Sequence, residues 1–276
     1  TDLLEYEDFS RDFLKGTNPV GMTGCIDSEK VHFMSTFLGE KKVQLVVTYS
    51  EQRAREIEED YKLFCSQVYV IPPRDLIFFS ADLQGNAIIA ERMKAFAALY
   101  QNEAKVIITT MDALMSAAVP FEQLMSHVIK LKEGDELDLE KLKHDLTVMG
   151  YERVGRVEEP GQFTVHGGIA DVYPLTMEVP VRIELWGDEI DTIRCFEPQS
   201  QRSMDQIECV SVFPAAEVIA DDTARRRAAG MIQNELESQL AVFKKAKEPD
   251  KAKRLREETN RILEALGEDV VLEAPD

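Results

Sequence analysis

Apolar and polar positions follow two different rhythms along this chain, and the change of rhythm divides it. Up to about residue 126, short apolar runs alternate with stretches of helical spacing. "KVQLVVTYS" predicts a buried strand that ends at Ser50. Ser50 suits a helix N-cap, and Glu51 follows in the first turn. Ala54, Ile57, Tyr61 and Phe64 then recur at a helical period. "VYVIPP" predicts a short strand stopped by Pro72 and Pro73, "IIAERMKAFAALY" a helix, "KVIITT" another strand, and "MDALMSAA" the start of a further helix. Strands alternating with helices predict a parallel sheet with helices packed on it.

From about 127 to 213 the texture becomes strand-rich. "LDLEKLKHDLTVMG" predicts a helix ending at Gly150, and "QFTVH", "IADVY", "VRIELW" and "IDTIRCF" predict short strands separated by Gly or Pro. Gly187-Asp188 fits a two-residue hairpin turn. This is the pattern of a small α+β unit inserted in the α/β chain. From Pro214 onward the sequence is helical and charged, with a break at Pro249. "EDVVLEAPD" ends the sequence like a strand without its sequel, so the chain is expected to be a piece of a longer protein. The organisation expected is 1–126 as the first part of the body, 127–213 as the insertion and 214–276 as a helical continuation of the body.

Composition narrows the function classes. The 276 residues carry a net charge of −19, which repels a nucleic-acid backbone unless a basic stripe is hidden in the fold. Between 127 and 213 there are nine Lys/Arg against eighteen Asp/Glu. Arg225-Arg226-Arg227 sits on a helix surrounded by acidic residues and reads as a solvated face. No direct nucleic-acid binding is expected. No apolar run approaches the roughly 20 residues needed to span a bilayer, and the acidic amphipathic start lacks the layout of a signal peptide. The chain is expected to be cytoplasmic. Cys25, Cys65, Cys195 and Cys209 form no C-x-x-C pair, and His32, His127, His144 and His166 lie in different elements. No metal, cofactor or catalytic group is expected.

Two stretches carry candidate chemistry. "VGMTGCIDSEK" begins like a phosphate-binding loop, with Gly21, Thr23 and Gly24, and then departs from G-x-x-x-x-G-K-[ST]. Ile26 stands where a glycine should let backbone approach phosphate, and Asp27 stands where a lysine should offset its charge. Asp27 and Ser28 are better expected as caps of the helix that follows. In "VRIELW", alternation puts Ile183 and Leu185 toward a core and Arg182, Glu184 and Trp186 on the opposite face. Trp and Arg are enriched at binding hot spots. From the residues alone two alternatives stay open: a partner-binding face, or a Trp186 that covers its own domain and stacks on Arg182.

The segment from Gly150 to Glu217 contains "GQF-V-GGI-D-YPL", "PVRIEL", "DEID-IR-F", "QRS" and "PA-E". Together these resemble the amino-terminal module of the transcription-repair coupling factors, which is itself similar to the excision-repair protein UvrB. A weaker match runs from about Val20 to Ala118, including the failed loop. The resemblance implies a degenerate RecA-like, P-loop-type parallel sheet with an inserted α+β domain that docks on UvrA. It also implies an adaptor without catalysis, joined to RNA polymerase through other parts of a longer protein. A UvrB-type nucleotide-dependent helicase subunit is the alternative, and Ile26 and Asp27 argue against it. UvrB's tyrosine-rich DNA-clamping hairpin has no counterpart between Asp75 and Arg92, a stretch without tyrosine. The family's UvrA-contacting positions fall on His166, Arg182 and Trp186. His166 replaces the usual arginine, and a neutral imidazole cannot grip a carboxylate with two parallel bonds.

Overall fold

The computed structural model describes residues 4–16, 19, 21, 23–38, 43–73, 83–116, 118–219, 222–246 and 249–267. Its first part opens with helices α1 (Leu4–Leu14) and α2 (Asp27–Ser35). There follow β1 (Gln44–Thr48), α3 (Glu51–Lys62), β2 (Val68–Ile71), α4 (Leu83–Tyr100) and β3 (Val106–Thr110), then the short helices α5 (Met111–Met115) and α6 (Phe121–Met125). The three strands form a parallel sheet in the order β1-β3-β2. Ser50 caps α3 as its sequence suggests, accepting a hydrogen bond from the Arg53 N–H at 3.2 Å. Ala54, Ile57 and Tyr61 pack with Val31, Val68, Val70, Val106 and Ile108 on one face of the sheet. Phe64 departs from the expected stripe. The helix stops at Lys62, and Phe64 lies beyond it, half exposed.

The strand-rich unit comprises β4 (Ile129–Lys132), α7 (Leu139–Val148), β5 (Glu152–Arg153), β6 (Gln162–His166), β7 (Ile169–Val172), β8 (Val181–Trp186), β9 (Glu189–Phe196), β10 (Ser203–Gln206) and β11 (Cys209–Val212). β5 to β10 make one six-stranded sheet in the order β10-β9-β8-β7-β6-β5. Leu142, Leu146 and Met149 of the helical segment pack against Phe163, Val165, Ala170, Val172, Val181, Ile183 and Ile193 of its inner face. Asp138 starts α7 by accepting from the Glu140 and Lys141 N–H groups at 2.9 and 3.1 Å. Gly150 ends it at φ +88°, where an added Cβ would stand 2.6 Å from the Ala216 Cβ, so only glycine fits. β4 and β11 pair antiparallel, Ile129 with Val212, and bring the two ends of the insertion together. The strand patterns of the meander were legible in the sequence, whereas β4, β5, β10 and β11 were not.

The insertion is anchored to α4. Phe213 is buried among Met93, Ala97, Leu124 and Met125 and meets Tyr100 edge-on. Arg92 and Glu217 form a buried ion pair, and Arg92 also donates to the Pro72 carbonyl. The chain beyond Pro214 is not yet helical, in contrast to expectation. The N–H groups of Ala215 and Ala216 donate back to the Met149 carbonyl. Helix α8 begins only at Asp222 and runs to Ala246, and α9 (Pro249–Gly267) packs against it, with Pro249 in the first turn where proline is tolerated. The expected terminal strand "EDVVLEAPD" lies outside the described residues, as do residues 75–82, the part of the stretch between Asp75 and Arg92 that precedes α4. Among the described residues no helix is long and apolar enough to cross a membrane.

Candidate docking face and degenerate loop

The outer face of the six-stranded sheet is built from side chains that alternate away from α7. Register places Thr164, Asp171, Arg182 and Arg194 in one row across β6 to β9. The next row, about 7 Å along the strands, holds His166, Ile169, Glu184 and Thr192. Trp186 stands one step further, at the end of β8. Between Glu184 and Leu185 the pairing with β9 shifts register, leaving Asp191 as an extra residue in a bulge that twists this end of the sheet.

Arg182 is held tightly inside its own domain. Its Nε and Nη2 donate to the two carboxylate oxygens of Asp171 at 2.8 and 2.7 Å, the two-bond geometry that suits a guanidinium. Asp171 is only 6% exposed. The guanidinium also lies 4.8 Å over the Phe196 ring, which belongs to a second buried cluster with Val157 and Tyr173. Hydrogen bonding to Asp171 outweighs the effect of partial burial and raises the Arg182 pKa. A carboxylate from elsewhere would therefore meet an arginine whose fork is already engaged.

Trp186 is the reverse case. It is 83% exposed, and among the described residues its ring has no stacking or hydrogen-bonding partner. The expected alternative, in which it stacks on Arg182, is not what the side chains do: Arg182 lies on Phe196 instead. Trp186 pairs with Glu189 across the Gly187-Asp188 turn, with Gly187 at φ +67°. His166 is exposed at the end of β6, beside Gly167 and Gly168. The Leu185 N–H donates to the Gly168 carbonyl at 2.8 Å, which ties the two hairpin tips together. His166 and Trp186 thus flank Ile169 and Glu184 on one surface, and Arg182 sits one row behind. Ile169, 40% exposed, was missed in the sequence, where it reads as one more apolar residue of a strand. Asp171 was missed for the opposite reason, because a strand carboxylate reads as solvent-facing until its register with Arg182 is known.

At the loop, Gly24 adopts φ +89°, and Gly21 and Thr23 are exposed. α1, not a strand, is the described element upstream. The expected capping by Asp27 and Ser28 is corrected: they are the first and second residues of α2, and Ile26 is its N-cap. Isoleucine has no side-chain acceptor, so only the reciprocal half of a capping box can form, with the Glu29 carboxylate accepting from the Ile26 N–H at 3.1 Å. The Ile26 side chain is 67% exposed. A carboxylate therefore occupies the end of the helix where a phosphate-binding loop would present bare N–H groups. At the C-terminal end of β3, Thr109 donates to the Ile71 carbonyl and Thr110 caps α5. Among the described residues no group of three or more His, Cys, Asp or Glu could hold a metal ion.

This geometry, an α+β insertion with an exposed aromatic hairpin tip, coincides with a family match. Residues 129–217 match the family model of the UvrB interaction domain. Over most of its length the chain is related to transcription-repair-coupling factors: it is 32% identical over 255 residues to that of Staphylococcus haemolyticus, covering 91% of this chain and 21% of the relative. It is 29% identical over 232 residues to that of Bacillus subtilis, covering 83% of this chain and 20% of the relative. The chain spans about a fifth of the length of these curated relatives.

Proposed function

We propose that this chain is a non-catalytic adaptor module of a transcription-repair-coupling factor and that its inserted domain recruits UvrA. The observation that carries the proposal is Trp186, a large aromatic residue left bare at a hairpin tip within the matched segment. An exposed tryptophan beside an exposed isoleucine is the composition of an interface hot spot. The partner surface it suits is an apolar pocket with basic groups at its rim, because Glu184 and Glu189 stand beside Trp186. Ile26 and the Glu29 carboxylate support a body that is a RecA-like relative without nucleotide chemistry. Contact with RNA polymerase is assigned to other parts of the longer protein. The acidic balance of the insertion supports a role without direct nucleic-acid binding.

The test is binding of the purified chain to UvrA by surface plasmon resonance, with Trp186→Ala beside it. Hot-spot truncation costs about 2 kcal/mol or more, so affinity should fall roughly 30-fold. The melting temperature should stay unchanged, because the ring buries almost nothing in its own fold. Equal affinity of a well-folded Trp186→Ala for UvrA would refute the assignment of this face.

A further inference from the structure

Arg194 has no role in the fold that accounts for its position. It lies directly opposite Arg182 on the neighbouring strand, and opposite Gln206 on the other side. Asp171 answers the charge of Arg182, but among the described residues no ion pair or hydrogen bond answers Arg194. Its Nε is the one buried side-chain nitrogen or oxygen without a hydrogen-bond partner among the described residues. Like charges facing each other across adjacent strands destabilise a sheet, and so does a buried donor left unsatisfied. Carboxylates are plentiful here, eighteen between 127 and 213, yet none is placed to pair with it. A local cost of this kind persists where function requires the group.

We propose that Arg194 is a binding residue of the docking face and takes a carboxylate side chain of the docking partner. This deepens the UvrA reading and rests on it. Arg194 shares the outer face with Ile169 and Trp186. A partner that covers these apolar side chains and reaches back along β8 to the row of Arg182 and Arg194 would shield a guanidinium–carboxylate contact there from water, where it is strongest. Arg182 then acts as a positioning residue. Its bond to Asp171 keeps that carboxylate away from Arg194 and holds the row rigid.

The experiment compares the unaltered chain with Arg194→Ala, Arg194→Met and Arg194→Lys. It reads UvrA affinity by surface plasmon resonance and thermal melting by circular dichroism. Arg194→Ala and Arg194→Met should each weaken binding by about 10- to 100-fold, and Arg194→Lys should fall between them and the parent. The melting temperatures of the Ala and Met variants should equal or exceed the parent's, because an unanswered charge has been removed. Unchanged affinity, or affinity that falls together with melting temperature, overturns the proposal. Duplex-DNA binding that Arg194→Ala abolishes also overturns it, since the anion would then be a phosphate. Failure of the unaltered chain to bind UvrA overturns the partner reading and this proposal together. Normal binding by the parent and by all three variants overturns this proposal alone.

Discussion

Arg182→Ala is expected to destabilise a fold that the sequence suggested it would spare. By alternation alone Arg182 is a surface residue whose loss should leave the fold intact. In the structure, the substitution strands the Asp171 carboxylate, which is almost fully buried and loses two charge-assisted bonds of 2.8 and 2.7 Å. Breaking one side of a buried pair costs about 3–5 kcal/mol. The Arg182 side chain is 21% exposed, so the low end applies, about 3 kcal/mol with its contact over Phe196 included. A domain is stable by only about 5–15 kcal/mol. With an m-value of about 1–3 kcal/mol/M, the urea midpoint should drop by about 1 M or more. The assay is urea unfolding followed by far-ultraviolet circular dichroism at neutral pH, on Arg182→Ala, Asp171→Ala and the double variant. The pair should couple, the double variant losing clearly less than the sum of the singles, by about 2 kcal/mol. An Arg182→Ala midpoint equal to the parent's, or strictly additive losses, would refute the assignment of Arg182 to the fold. If the midpoint drops as expected, reduced UvrA binding by Arg182→Ala alone reports on folding as much as on contact.

Two further outcomes are expected. Isothermal calorimetry with magnesium-ATP should give no binding heat, because Ile26 and the Glu29 carboxylate occupy the helix end that a phosphate would need; micromolar, magnesium-dependent binding would contradict this. Burial pushes the Tyr151 phenol well above its usual range, so the folded state keeps a proton that the unfolded state releases near pH ~10. Stability from this group is full below that pH and is lost progressively as pH rises above it toward the raised folded value. Tyr151→Phe should therefore lose stability at neutral pH, about 1 kcal/mol for the hydrogen bond to the Phe213 carbonyl. It should also show a shallower alkaline decline in urea titrations from about pH 8 to about pH 11.

The parts legible in the sequence were those fixed by neighbours along the chain. Ser50 and the Gly187-Asp188 turn act through residues a few positions away, and Gly150 ends its helix with a local positive φ; each took the role its chemistry suggests, though the contact of Gly150 with Ala216 is long-range. Trp186 was legible as a polar-face aromatic because strand alternation is local. The states of Arg182 and Arg194 were not legible. Both depend on which residues of other strands lie opposite them, and register is set by the packed sheet. The same holds for β4 and β11, whose partners are about 80 residues apart in sequence and whose pairing no local pattern announces. Ile26 was misjudged because a side chain without an acceptor is a poor cap, and Glu29 supplies the bond from the other side.

The pairing of β4 with β11 has a consequence for how this architecture could arise. Hydrogen-bonded strands lie about 5 Å apart, little more than the spacing of consecutive Cα atoms. The chain therefore enters and leaves this unit at almost one point. A cassette with its two ends stapled together can be cut out or pasted into a surface loop while the host sheet keeps its strand order. Buried contacts of Phe213 and Glu217 with α4 then fix the angle at which the cassette is presented. A unit of this kind could be exchanged between chains, or lost, by events confined to a single loop.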